Sequence, residues 1–321
     1  MPPRLKNFKP SFKKAWLSMH WRQWQALGLM GNVAGGWKAT IDLEALIVST
    51  LAAGLGDRRL LLAALEWVIA YDHLVNFSRL KKIGRSFGAV GKSAGPIFPG
   101  PQALVLVSEL LVKNGKRGFA AGQAGDDDGA LAEYRQALEG YKSRRLVALP
   151  VRLSGAVCLQ LTARSLLGNN ARADVLAYLL LNRDGNPHEV SKEIGSDYKN
   201  VYLIMEGWRR AGITERRGKA DVLTEKKCWR QLLDVPPETR YVNWSRFLGA
   251  LGRVDAAMEV EPWSGDEYLL SGLFRELRPG LETAAEAAGV RLPEPGRYKG
   301  AAYFEPFAGA VMEVLEKLGK G

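Results

Sequence analysis

The apolar spacing changes character once within residues 171–234, and that change restricts the chain more than any other feature of it. Residues 172–182 set Val175, Leu176, Leu179 and Leu180 on one side of a helix. Arg183 to Asn186 predict a turn. Pro187 suits the first turn of a second short helix, where a missing N–H costs no hydrogen bond. In that helix, PHEVSKEIG, Val190 and Ile194 point inward and Gly195 is the stop. Ser196 or Asp197 then caps a third helix, YKNVYLIMEGWRRAG, with Val201, Ile204, Met205 and Trp208 as its apolar side and Gly212 as its end. From Ile213 the period shortens. Ile213 to Glu215 predict a strand, Arg216 to Lys219 a turn in which Gly218 tolerates positive φ, and Asp221 to Thr224 the return strand. Glu225 to Leu233 close the stretch as a helix or extension.

The flanking regions are helical by the same spacing rule. Arg4, Lys6, Lys9, Lys13 and Lys14 read as a flexible or draped basic arm, able to lie on a phosphate backbone or on the protein's own acidic surface. Trp16, Trp21 and Trp24 read as a packed helix edge. Helices follow at 42–54, capped by Asp42, at about 57–71 behind Asp57, and from near Ser78, where Arg79, Lys81 and Lys82 form a basic face. Residues 84–101 read as a hinge rich in Gly and Pro. Further helices are expected at 101–113 and 130–146, around a mobile loop at 115–130, and a helix-like stretch ends the 147–168 segment beside the next unit. The C-terminal part predicts helices at 241–256, 266–277, 280–288 and 308–318, with Tyr298, Tyr303, Phe304 and Phe307 as core aromatics. Four regions result: 1–92, basic and helical; 93–170, a helical linker region; 171–234; and 235–321, a helical regulatory or dimerisation region.

Charge follows these regions unevenly. Residues 1–92 carry 14 Lys/Arg against 5 Asp/Glu, residues 171–234 carry 12 against 10, and residues 235–321 carry 10 against 13. A polyanion would suit the N-terminal part. The apolar runs are too short or too broken by charge to predict a membrane span, and no cleavable signal segment is evident. Two cysteines, Cys158 and Cys228, offer neither a metal spacing nor a disulfide framework, so a cytoplasmic location is expected.

Chemistry-bearing patterns are sparse. A phosphate-binding loop ending in Gly91-Lys92-Ser93 would need Gly at position 86, which is Ser. The acids Asp126, Asp127 and Asp128 are adjacent in sequence and do not converge from separate elements, so they predict no cation site. The histidines His20, His73 and His188 fall in no metal or nucleophile motif. Glu66 and Asp72, or Asp255, Glu259 and Glu261, could meet only through folding. The expectation is a protein that is not an enzyme and needs no metal or cofactor, with an enzyme built from distant residues as an alternative.

The stretches ARADVLAYLLLNR, PHEVSKEIG, DYKNVYLIMEGWRRAG and ITERRGKADVLTE together resemble a winged helix-turn-helix domain of the MarR and ArsR types of transcription regulator. The resemblance covers about a fifth of the chain. It implies a mainly α, multi-helical protein with a small β-hairpin wing. It also implies a third helix that enters the major groove of double-stranded DNA and a wing that reaches phosphates or the minor groove. Carried over, it assigns DNA contact to Ser196, Tyr198, Lys199, Asn200 and Tyr202 on the third helix, and to Arg216, Arg217 and Lys219 at the wing tip. Asn200 and Lys199 have the groups to read base edges, whereas Ser196 and Tyr198 can bond phosphates. Such regulators imply a homodimer on a twofold site and leave room for a small-molecule or protein effector. The same module also serves as a protein-interaction or assembly unit, and the near balance of charge in 171–234 keeps that alternative open.

Overall fold

The computed structural model describes residues 5–30, 37, 39–54, 56–88, 100–116, 132, 136 and 155–320. The described residues form a mainly α protein with thirteen α-helices and one small antiparallel hairpin. The helices are α1 (Leu5–Ala26), α2 (Leu43–Ala53), α3 (Arg58–Ala70), α4 (Phe77–Gly88), α5 (Gly100–Lys113), α6 (Leu159–Leu167), α7 (Ala171–Leu181), α8 (Pro187–Glu193), α9 (Tyr198–Arg210), α10 (Lys226–Leu232), α11 (Trp244–Ala257), α12 (Glu267–Ala287) and α13 (Phe304–Lys320). The strands β1 (Thr214–Arg217) and β2 (Ala220–Leu223) lie between α9 and α10. None of the described helices is long and apolar enough to cross a membrane.

Two apolar cores organise the chain. The larger joins α1–α5 to α11–α13, so the first hundred residues and the last eighty share one interior. Phe8 of α1 meets Phe274 of α12 and Phe304 of α13 edge-on, with centroids 6.2 and 5.6 Å away. The smaller core is built from α6–α10 and the hairpin, around Val175, Leu179, Val190, Val201 and Met205. Helix α6 serves both: Leu161 faces the larger core, while Leu159 and Ala163 face the smaller one.

Several local expectations change. The basic arm is helical from Leu5 onward, because Leu5, Phe8, Phe12 and Trp16 recur at three-to-four spacing and bury Phe8, Phe12 and Trp16 despite Pro10. Its Lys9 and Lys13 pair with Glu259 of the protein's own surface. The predicted helices at 266–277 and 280–288 are one helix, α12, continuous through Pro279. Burial of Leu273, Phe274, Leu277 and Leu281 along one side outweighs the single hydrogen bond that proline removes. Helix α4 runs on to Gly88, into the stretch read as a hinge. The acidic triplet at 126–128, the phosphate-loop fragment at 91–93 and nearly all of the 130–146 helix lie outside the described residues.

The two cores meet at a buried ionic junction. Asp42 caps α2, and Arg79 of α4 forks onto its two oxygens at 2.6 and 2.5 Å. Arg79 also reaches Glu44 at 2.7 Å, and Arg164 of α6 grips both Glu44 oxygens at 2.7 and 2.8 Å before touching Asp174 of α7 at 3.1 Å. Gln160 closes the set, donating to Asp174 and accepting the Leu43 N–H. Burial raises the carboxyls of Asp42 and Glu44, but the two guanidinium groups prevail and hold both below the ordinary carboxylate range. Such a cluster costs desolvation and rewards one geometry only, so it fixes orientation more than it adds stability.

Candidate nucleic-acid interface

Helices α8 and α9 are set by their caps. Asn186 accepts the Glu189 N–H ahead of Pro187, and Asp197, one of the two predicted caps, accepts the Asn200 N–H at 3.1 Å. Between them Gly195 takes φ 66°, a left-handed value that a side chain resists. Val201, Ile204 and Met205 turn inward. That leaves Tyr198, Lys199, Asn200, Tyr202 and Leu203 exposed on the first two turns of α9. Tyr198 and Tyr202 stand one turn apart with ring centroids at 6.2 Å, and His188 of α8 extends the row to Tyr198 at 6.1 Å. Ser196 is half-buried and tied through its backbone: its N–H donates to the Ser191 carbonyl, and its own carbonyl accepts from Lys82 of α4 at 2.8 Å.

The hairpin differs in detail from the predicted wing. Its strands pair Thr214 with Leu223, Glu215 with Val222, Arg216 with Asp221 and Arg217 with Ala220. Arg216 and Arg217 are therefore strand residues, and the turn shrinks to Gly218 and Lys219, with Gly218 at φ 64°. That is the position at which tight two-residue hairpin turns use glycine. Gly185, ahead of α8, exchanges two backbone hydrogen bonds with Asp221 at 3.1 and 2.9 Å, so the hairpin is anchored to the α7–α8 connection.

Charge on this surface is largely spent internally. Asp221 is fully buried, and Arg216 binds it at 2.7 and 3.1 Å; the hydrogen bond to this carboxylate, more than its charge, raises the Arg216 guanidinium further above its usual range. Arg217 pairs with Glu215, and Arg209 and Arg210 both pair with Glu206 in the middle of the exposed α9 face. Among the sequence-predicted contacts, Lys199 and Lys219 are the cations that no described acid engages. The predicted residues thus form two groups, Tyr198 to Tyr202 on α9 and Arg216 to Lys219 on the hairpin, with Ser196 held back in the turn.

Two contributors come from the basic face of α4 expected from the sequence, although Arg79, expected at the surface with Lys81 and Lys82, is buried in the ionic junction. Lys82 and Arg79 reach the α8–α9 turn from more than a hundred residues away, Arg79 donating from Nε to the Ile194 carbonyl at 2.7 Å. Asp221 reads as an ordinary strand acid until Arg216 and Gly185 are seen beside it. Among the described residues no group of three or more His, Cys, Asp or Glu could hold a metal ion. No family model matches the chain, and neither a curated protein nor a solved structure does.

Proposed function

We propose that residues 171–234 are a winged helix-turn-helix module that binds double-stranded DNA, with α9 as the reading helix and the hairpin as the wing, in a transcriptional regulator acting as a homodimer. The observation that carries this reading is the exposed set on the first turns of α9. Lys199 and Asn200 stand clear of the core beside Tyr198 and Tyr202, while Lys219 stands at the hairpin tip. A lysine and an amide at a helix surface suit base edges, and the tip lysine suits a phosphate. Measuring the anisotropy of labelled mixed genomic duplex fragments at low salt tests it. Binding that is weakened by Lys199→Glu and Lys219→Glu supports the module as reader; no binding by the unaltered chain sinks it.

A second reading has its own observation. Tyr198, Tyr202 and Leu203 leave an apolar patch at 51, 43 and 57% exposure, and most arginines around it are paired within the module. Such a surface also suits a protein partner. A chain that ignores duplex DNA at low salt yet self-associates through this patch, with loss of association on Tyr202→Glu, would favour it.

A further inference from the structure

Helix α4 belongs to the larger core, yet it grips the turn that sets α9. Arg79 holds the Ile194 carbonyl, Lys82 holds the Ser196 carbonyl, and Ile83 lies against Gly195, within 3.9 Å of where a Cβ would stand. Its outward face is Ser78, Lys82 and Arg85, spaced i, i+4 and i+7, all exposed. That face offers a hydroxyl and two cations, and α4 contains no acidic residue. Two acids near the α8–α9 turn are engaged: Asp197 caps α9, and Glu193 is held by Asn243 at 2.7 Å and Arg246 at 3.1 Å. Arg85 has no ionic partner among the described residues.

We infer that the Ser78–Lys82–Arg85 face of α4 is a second contact surface for the phosphate backbone of the duplex that α9 engages, so that the helical body and the module clasp the same DNA. The inference rests on the DNA-binding reading of the module and extends it to a helix outside the helix-turn-helix. Two cations and a hydroxyl on one face, without a carboxylate, match a phosphate run in charge and in hydrogen-bonding capacity. The side-chain hydrogen bonds from Arg79 Nε and Lys82 Nζ to the Ile194 and Ser196 carbonyls tie α4 to the turn ahead of α9. A contact of this kind adds affinity on every sequence and discriminates none.

The test measures duplex affinity of the full chain over a salt series, for the unaltered protein, Arg85→Ala, Arg85→Glu, Ser78→Lys and the charge control Lys299→Ala. Each phosphate contact contributes about 0.9 to the steepness of log affinity against log salt. Arg85→Ala is expected to flatten the slope by about one such step and to weaken all sequences by the same factor. Arg85→Glu should weaken binding further, Ser78→Lys should steepen the slope, and Lys299→Ala should leave it unchanged. Arg85 is exposed and makes no ion pair among the described residues, so its replacement is expected to leave the fold intact; Ser78→Lys tests the same face by gain. Unaltered slopes in the Arg85 and Ser78 variants, or an equal loss in Lys299→Ala, would overturn the α4 contact while leaving DNA binding by the module intact. Absence of binding by the unaltered chain would remove both.

Discussion

Glu44 carries the junction between the two cores. It is fully buried, accepts from Arg79 and Arg164, and also takes the Asn76 N–H at 2.8 Å. Glu44→Gln would leave two buried guanidinium groups short of an anion. Breaking a buried pair from one side costs about 3–5 kcal/mol, and chemical denaturation should read a loss of that size. An unchanged midpoint would contradict the role given to this residue. Asp255 behaves in the opposite way. Burial pushes its carboxyl up to about 6, against the pull of Lys13 and with the push of Glu259, and its Oδ1 has no hydrogen-bond partner among the described residues. The folded state therefore holds this proton more tightly than the unfolded chain, whose value is about 3.9. The resulting stability is complete below about pH 4 and is lost as pH rises through about 6. Asp255→Asn should melt above the unaltered protein at pH 7, by about a few degrees, and level with it near pH 4. Parallel pH dependence of the two proteins would refute this.

The hairpin and α9 divide the predicted contacts by availability. Arg216 is engaged by buried Asp221, so Arg216→Ala should lower stability more than it changes DNA affinity, whereas Lys219→Ala, at a phosphate, should flatten the salt slope by about 0.9. Asn200→Ala and Lys199→Ala should each change which duplex is preferred, at about 1–3 kcal/mol. Competition binding on mixed sequences separates these outcomes, and equal affinities and preferences in all four variants would reject the surface. The element order here was readable because its signals are local: Pro187, Gly195, Asp197, Gly212 and Gly218 all punctuate the chain where expected. The hairpin register was not, since Arg216 and Arg217 suit a turn as well as a strand until Asp221 supplies a buried partner. In α12, Pro279 reads as a break, and only the apolar side it shares with its neighbours keeps the helix continuous.

At the scale of the molecule, the sequence reads as a series of regions, but the interior is shared by regions far apart in the chain. Phe8 packs with Phe274 and Phe304, and Lys9 pairs with Glu259, contacts that no periodicity announces. The same long-range closure brings Arg79 and Lys82 to the α8–α9 turn, so the basic helix noted in the first hundred residues lies beside residues 171–234. Residues 171–234 alone are close to charge balance, and α4 places Lys82 at the α8–α9 turn with Arg85 exposed beside it. The most direct measurement is the salt dependence of full-chain binding to duplex DNA. Log affinity is expected to fall linearly with log salt at a slope of about −3, the sum of the phosphate contacts proposed for Lys219, Lys82 and Arg85 at about 0.9 each. A slope near zero, or no binding at low salt, would contradict it.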